Sequence, residues 1–162
     1  MNTKSNLSLL TQGSMIAAIY VILTLLAASF GLDRYAIQIR FSEALTILPF
    51  LTPAAIPGLF VGCLLSNIIT GCAIWDIIFG PLATLIGAYG TRLLRRHSKW
   101  LAPIPPIVSN TIIIPFVLMY AYKIEGSLPY FMLTVGLGEL ISCGFLGMLL
   151  LHALQKNKRK LF

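Results

Sequence analysis

The sequence predicts an all-α integral membrane protein of six transmembrane helices with both termini on the cytoplasmic side. Three observations carry this prediction. The chain is 57% hydrophobic and 10% charged, with a mean hydropathy of +0.88, whereas a soluble domain carries about 25% charged residues. Its apolar stretches are divided by short polar or Pro/Gly-rich breaks into six segments. Its lysines and arginines collect where alternate breaks and the two ends would meet the cytoplasm. A length of 162 residues holds six spans of about 20 residues with short loops, so positions 1–162 read as a single transmembrane domain.

The first span is expected over residues 9–29, ending at Gly31-Leu-Asp33-Arg34. The N-terminus is polar through Asn6 and then apolar for more than 20 residues without a small-residue cleavage site, so this stretch reads as a retained span and not a signal peptide. The second span, 37–51, is short, carries Arg40 and Glu43, and stops at Thr52-Pro53-Ala-Ala-Ile-Pro57-Gly58. The third is expected over 57–69, the fourth over 75–95, the fifth over 104–122 after Pro103-Ile-Pro105-Pro106, and the sixth over 130–154.

With six spans the inner side receives Lys4, Arg92, Arg95, Arg96, Lys99, Lys156, Lys158, Arg159 and Lys160. The outer half receives Arg34, Arg40 and Lys123, the asymmetry expected when basic residues stay inside. The net charge of +7 therefore sets topology. No aromatic-interleaved basic face points to nucleic acid, and membrane lipid is the expected surrounding.

Acidic residues locate the candidate site. Glu43, Asp76 and Glu139 lie within or at the edge of apolar runs, where an ionisable group is expensive and marks function. Arg40 and Glu43 share a helical face at i, i+3, which suits either a structural ion pair or a ligand-facing pair. Asp76 opens the fourth span, where it can cap the helix or meet a ligand, with Phe79 and Gly80 one turn on. Glu139 lies deep in the sixth span among Gly136, Gly138, Ser142 and Gly144, small residues that permit close approach. Asn67 and Asn110 add amides that hydrogen-bond between helices or to a ligand. Carboxylates, amides and an aromatic together suit a flat, donor-rich heterocycle.

Gly13 with Ala17, and Ser14 with Ala18, form two small-residue faces on the first span, for internal packing or a partner helix. Cys63, Cys72 and Cys143 have no metal spacing and read as small buried hydrophobes. No phosphate-binding Gly-x-x-x-x-Gly-Lys-Ser/Thr, His-Glu-x-x-His or Gly-x-Ser-x-Gly motif occurs, so the sequence supports neither nucleotide hydrolysis by that loop nor an intramembrane hydrolase. The expectation is a non-enzyme without cofactor or metal.

Several segments carry a family resemblance: Ile39-Arg40-Phe-Ser-Glu43-Ala-Leu-Thr-Ile-Leu-Pro49, Thr52-Pro-Ala-Ala-Ile-Pro-Gly-Leu-Phe-Val-Gly62, Asn67, Asp76-Ile-Ile-Phe-Gly80, Pro105-Pro106 with Asn110, and Gly138-Glu139. Over nearly the whole chain the sequence resembles the QueT family of substrate-binding (S) components of energy-coupling-factor (ECF) transporters. The resemblance implies a six-helix subunit of the bacterial plasma membrane. Such a subunit binds a queuosine precursor, queuine or a 7-deazaguanine base, from outside. Import then depends on a transmembrane coupling subunit, EcfT, and two ECF ATPases. It also implies docking through a small-residue face of the first helix, here Ser14 and Ala18 or Gly13 and Ala17. In such a site Glu139 would take the base edge and Asp76 or Glu43 an aminomethyl cation. Arg40 would orient Glu43 or meet a carbonyl, with Asn67, Asn110 and Phe79 completing the lining. Rival readings are an S component for another vitamin-like ligand, a stand-alone small-solute facilitator, and a membrane scaffold.

Overall fold

The structure, a computed structural model, describes residues 3–31, 40–123 and 125–156. Asp33, Arg34, the expected start of the second span at Ile37, and the basic run Lys158–Lys160 lie outside the described residues. The elements, in order, are α1 (Thr3–Ser29), a 3-10 helix (Phe41–Phe50), α2 (Ala55–Ile69), α3 (Ile74–Leu94), a short 3-10 turn (Lys99–Leu101), α4 (Ile104–Tyr120), and α5 (Leu128–Glu139). The last helix continues through a π-helical segment (Leu140–Gly147) into α6 (Met148–Lys156). No strand occurs among the described residues.

Four stretches are long and apolar enough to cross a membrane: Asn6–Ser29, Ile74–Leu94, Lys99–Tyr120 and Leu128–Lys156. The expected second and third spans are shorter apolar helices. The second is corrected in kind as well as length, because it is wound as a 3-10 helix. Ten residues at about 2 Å rise give it about 20 Å of length. The third begins at Ala55, so Pro57 falls in its first turn, where the missing N–H has no intrahelical partner to lose.

Apolar side chains cover the surface, and polar ones are buried beside an apolar core. Leu10, Ile22, Leu65, Ile86, Phe116 and Leu133 are among many exposed apolar residues. Ser42, Thr46, Ser66, Asn67, Thr84, Thr91 and Asn110 are buried with all three membrane-depth acids. An apolar surface over an interior that holds polar groups beside apolar clusters, such as Tyr20, Leu45 and Leu59 or Ile114, Leu118 and Phe131, is what a lipid solvent permits, because the polar groups satisfy one another inside the bundle.

Small residues set the helix spacing. An added Cβ at Gly58 of α2 would lie 2.6 Å from the Gly13 carbonyl oxygen, and one at Gly62 would lie 2.7 Å from Cβ of Tyr20. Backbones of α1 and α2 are therefore in direct contact. Gly13 and Ala17 are buried at this seam, while Ser14 and Ala18 stay exposed. Pro105 and Pro106 at the start of α4 seat against Gly90 and Gly87 of α3 in the same way. Consecutive helices α1 to α5 pack as neighbours. The 3-10 helix runs through their centre, touching α1, α2, α3, the π segment and α6.

Candidate functional site

Three irregular features of the backbone bring the acids together. The 3-10 helix has three residues per turn, so Glu43 and Thr46 eclipse one another on one face. The π segment begins immediately after Glu139, widening the helix where Glu139 and Cys143 face inward. At the end of α2, Gly71 takes a positive φ of 71°. Cys72 N–H then donates to the Asn67 carbonyl (3.0 Å) and Gly71 N–H to that of Ile68 (3.2 Å), the Schellman pattern. This turn leads straight into α3 and sets Asn67 beside Asp76.

At the first acid, Glu43 is 2% exposed. Its Oε1 accepts from the Tyr20 hydroxyl of α1. Its Oε2 is buried without a hydrogen-bond partner. Thr46 Oγ1 donates to the Glu43 carbonyl (2.6 Å) and contacts Cys143 Sγ (3.2 Å).

Glu139 is 8% exposed. Its Oε1 accepts from Asn110 Nδ2 of α4 (3.0 Å) and its Oε2 from Cys143 Sγ (2.9 Å). Ser109, next to Asn110, donates to the Ala83 carbonyl of α3 (3.0 Å), which fixes α4 in register. One carboxylate oxygen each of Glu43 and Glu139, together with Cys143 Sγ, lie within 4.8 Å of one another. The thiol acts here as a hydrogen-bond donor to Glu139, so the cluster reads as a hydrogen-bonded one.

Asp76 is 4% exposed and sits in the first turn of α3, where the helix dipole favours an anion. Its Oδ2 accepts from the Tyr122 hydroxyl (3.1 Å) and lies 3.9 Å from Arg40 Nη2. Its Oδ1 is buried without a hydrogen-bond partner. Asn67 Nδ2 donates to the Asp76 carbonyl (3.0 Å). Tyr122 also accepts from Ala73 N–H (3.2 Å). Burial first, and the Asp76 charge after it, hold the Tyr122 phenol above its ordinary range, so it remains a donor at neutral pH.

Arg40 joins the two halves. It pairs with Asp76 and, with Asn110, Ile114, Val135 and Glu139, lines a cavity of about 20 Å³. That volume holds about one water. The guanidinium thus faces Asp76 and Glu139, and Glu43 lies within 4.8 Å of Glu139.

The structure brings together Arg40, Glu43, Asp76, Asn110 and Glu139 of the expected site residues. Asn67 touches the cluster through the Asp76 backbone. Phe79 goes elsewhere: it is 39% exposed and stacks on Trp75 at 6.0 Å. The two rings line an apolar groove of about 620 Å³ between α3 and α4. Four contributors escaped the sequence reading. Cys143 lies one turn from Glu139 and Thr46 one 3-10 turn from Glu43, spacings that could have placed both. Tyr20 is fully buried in α1, where a phenol needs a partner. Tyr122 has no signal in the sequence.

Residues 10–156 match the family described as QueT transporter. The queuosine precursor transporter QueT of Lactococcus lactis subsp. cremoris (strain MG1363) is 34% identical over 73 residues, covering 45% of this chain and 43% of that protein. The aligned stretch is thus less than half the length of that curated relative. No solved structure gives a match. The buried acids, the amides beside them and the apolar outer surface all fall within the matched stretch, and on that match the chain belongs to the QueT transporter family.

Proposed function

We propose that this multi-pass membrane protein is the substrate-capture subunit of an ATP-driven ECF importer in the bacterial plasma membrane, binding a queuosine precursor from outside. The observation that carries the reading is the gathering of buried acids around Arg40: Asp76 lies 3.9 Å from it, Glu139 lines its cavity, and Glu43 lies within 4.8 Å of Glu139. Membership of the family supports transport, and the printed name of the Lactococcus relative supports the substrate class.

A 7-deazaguanine fits the chemistry of the cluster. Glu139, held by Asn110 and Cys143, presents acceptors to a ring N–H and an exocyclic amine. Arg40 offers donors to the ring carbonyl. The unpartnered oxygens of Glu43 and Asp76 await donors. A fused-ring base exceeds a water-sized cavity, so its admission requires the walls around Arg40 and Glu139 to part. EcfT and two ATPases supply the energy, and the exposed Ser14 and Ala18 face of α1 is the available small-residue surface for docking.

The test is equilibrium binding of queuine and 7-aminomethyl-7-deazaguanine to purified protein. Loss of a hydrogen bond to a charged group is worth about 1.5–3 kcal/mol. Glu139→Gln and Asp76→Asn should therefore each weaken binding by about 10-fold to 100-fold. Native affinity in both variants would reject these roles.

A further inference from the structure

We propose that Glu43 and Glu139 share one proton when no cation occupies the site, and that the ammonium group of a ligand replaces it, so that capture is a cation-for-proton exchange. This rests on the cluster being the ligand site, as set out above, and assigns that site a preference for ligands carrying an amine.

Among the described residues three buried carboxylates gather near Arg40, with Asp76 paired to it and Glu139 lining its cavity. Asp76 has first claim on that cation, at 3.9 Å, and draws further support from Tyr122 and the N-terminus of α3. Glu43 and Glu139 are left as a pair within 4.8 Å of one another, both buried. Their hydrogen-bond donors are neutral groups: Tyr20 donates to Glu43, and Asn110 and Cys143 donate to Glu139. Two like charges this close in a water-poor interior do not both ionise, and the pair retains a proton.

Geometry says where the proton sits and what replaces it. Both Glu139 oxygens already accept hydrogen bonds, whereas Glu43 Oε2 has no partner. Glu43 Oε2 is thus the atom whose hydrogen-bonding capacity is unused, for an O–H or for an incoming N–H. The cavity beside Arg40 and Glu139, about 20 Å³, is large enough for an ammonium group. On exchange the carboxylic O–H bond breaks, the proton leaves to solvent, and an N–H of the ligand takes its place at the oxygen. One positive charge enters for each that leaves, so the charge of the buried cluster is unchanged. Among the described residues the titratable groups facing the pair are Tyr20 from α1, Arg40 beside the 3-10 helix, Cys63 from α2, Asp76 from α3 and Cys143 from the π segment. Tyr20 and Cys143 donate hydrogen bonds to the pair, and Arg40 is engaged with Asp76. The exchangeable proton therefore belongs to the two glutamates.

Isothermal titration of the full chain in lipid nanodiscs decides the matter. 7-Aminomethyl-7-deazaguanine is titrated in phosphate and in Tris, buffers of different ionisation heat, beside 7-deazaguanine lacking the amine. The expected result is release of about one proton per aminomethyl ligand, and none for the neutral base. Because binding removes a proton, the aminomethyl affinity should rise with pH, by up to about tenfold per unit while the pair is protonated. Infrared difference spectra should show the carboxylic-acid C=O band disappearing on binding, and Glu43→Gln should lack that change. Equal heats in the two buffers with intact binding, or an unmoved carboxylic-acid band, would overturn the exchange while leaving capture standing. Binding of neither base would overturn capture and the exchange with it. The wild-type measurements suffice should E43Q fail to fold.

Discussion

Tyr20 shows how much of this site depends on single donors. Its phenol is buried and donates to Oε1 of the Glu43 carboxyl group. Tyr20→Phe keeps the ring and removes that donor from a buried acid. Such a deletion costs about 1–3 kcal/mol. A thermal melt in detergent should report that loss, with ligand affinity falling in parallel; an unchanged melt would show that the bond contributes nothing. The sequence revealed the acids and amides of the cluster because polar groups at membrane depth stand out against apolar neighbours. It concealed Cys143 and Tyr20, because a thiol and a phenol in apolar runs satisfy packing on their own terms. Only their partners reveal them as donors. Phe79 illustrates the opposite limit. Its position one turn after Asp76 is right for the helix, but one turn carries the side chain around to the Trp75 face and the outer groove.

Helix boundaries were legible where Pro and Gly punctuate them. The positions of α1, α3 and α4 follow from Gly31, the loop around Gly71, and Pro103 to Pro106. What was not legible was winding: nothing in Phe41–Phe50 or Leu140–Gly147 announces a 3-10 or a π helix, because those forms are selected by what packs against them. The seam between α1 and α2 makes a sharper prediction at this scale. Gly58→Val would drive a side chain into the Gly13 backbone, 2.6 Å from an ideal Cβ, and overpacking of this kind costs about 1–3 kcal/mol. Ser14→Leu with Ala18→Leu, on the exposed side of the same helix, should leave the melting temperature unchanged while reducing co-purification with the coupling subunit proposed above. Loss of stability in the second variant, or wild-type recovery of the complex, would contradict the division of α1 into an inner and an outer face.

The molecule as a whole is a helical bundle with an apolar surface, and composition alone pointed to a membrane protein. Its expected orientation rests on the distribution of charge and is open to a direct check. Ser98 should face the cytoplasm and Ser127 the exterior. In a Cys72→Ser background, Ser127→Cys should react with a membrane-impermeant maleimide on intact cells, and Ser98→Cys should react only after permeabilisation. The reverse pattern would invert the topology.

The brevity of two central elements reaches beyond the protein itself. The helix from Phe41 to Phe50 extends about 20 Å, and α2, at fifteen residues, about 22 Å. Both fall short of a hydrocarbon layer about 30 Å deep, and such mismatch is relieved when the surrounding lipid thins. Reconstituted in acyl chains of increasing length, the protein should melt at progressively lower temperature, making bilayer thickness a variable that tunes how firmly its acid-lined centre is held.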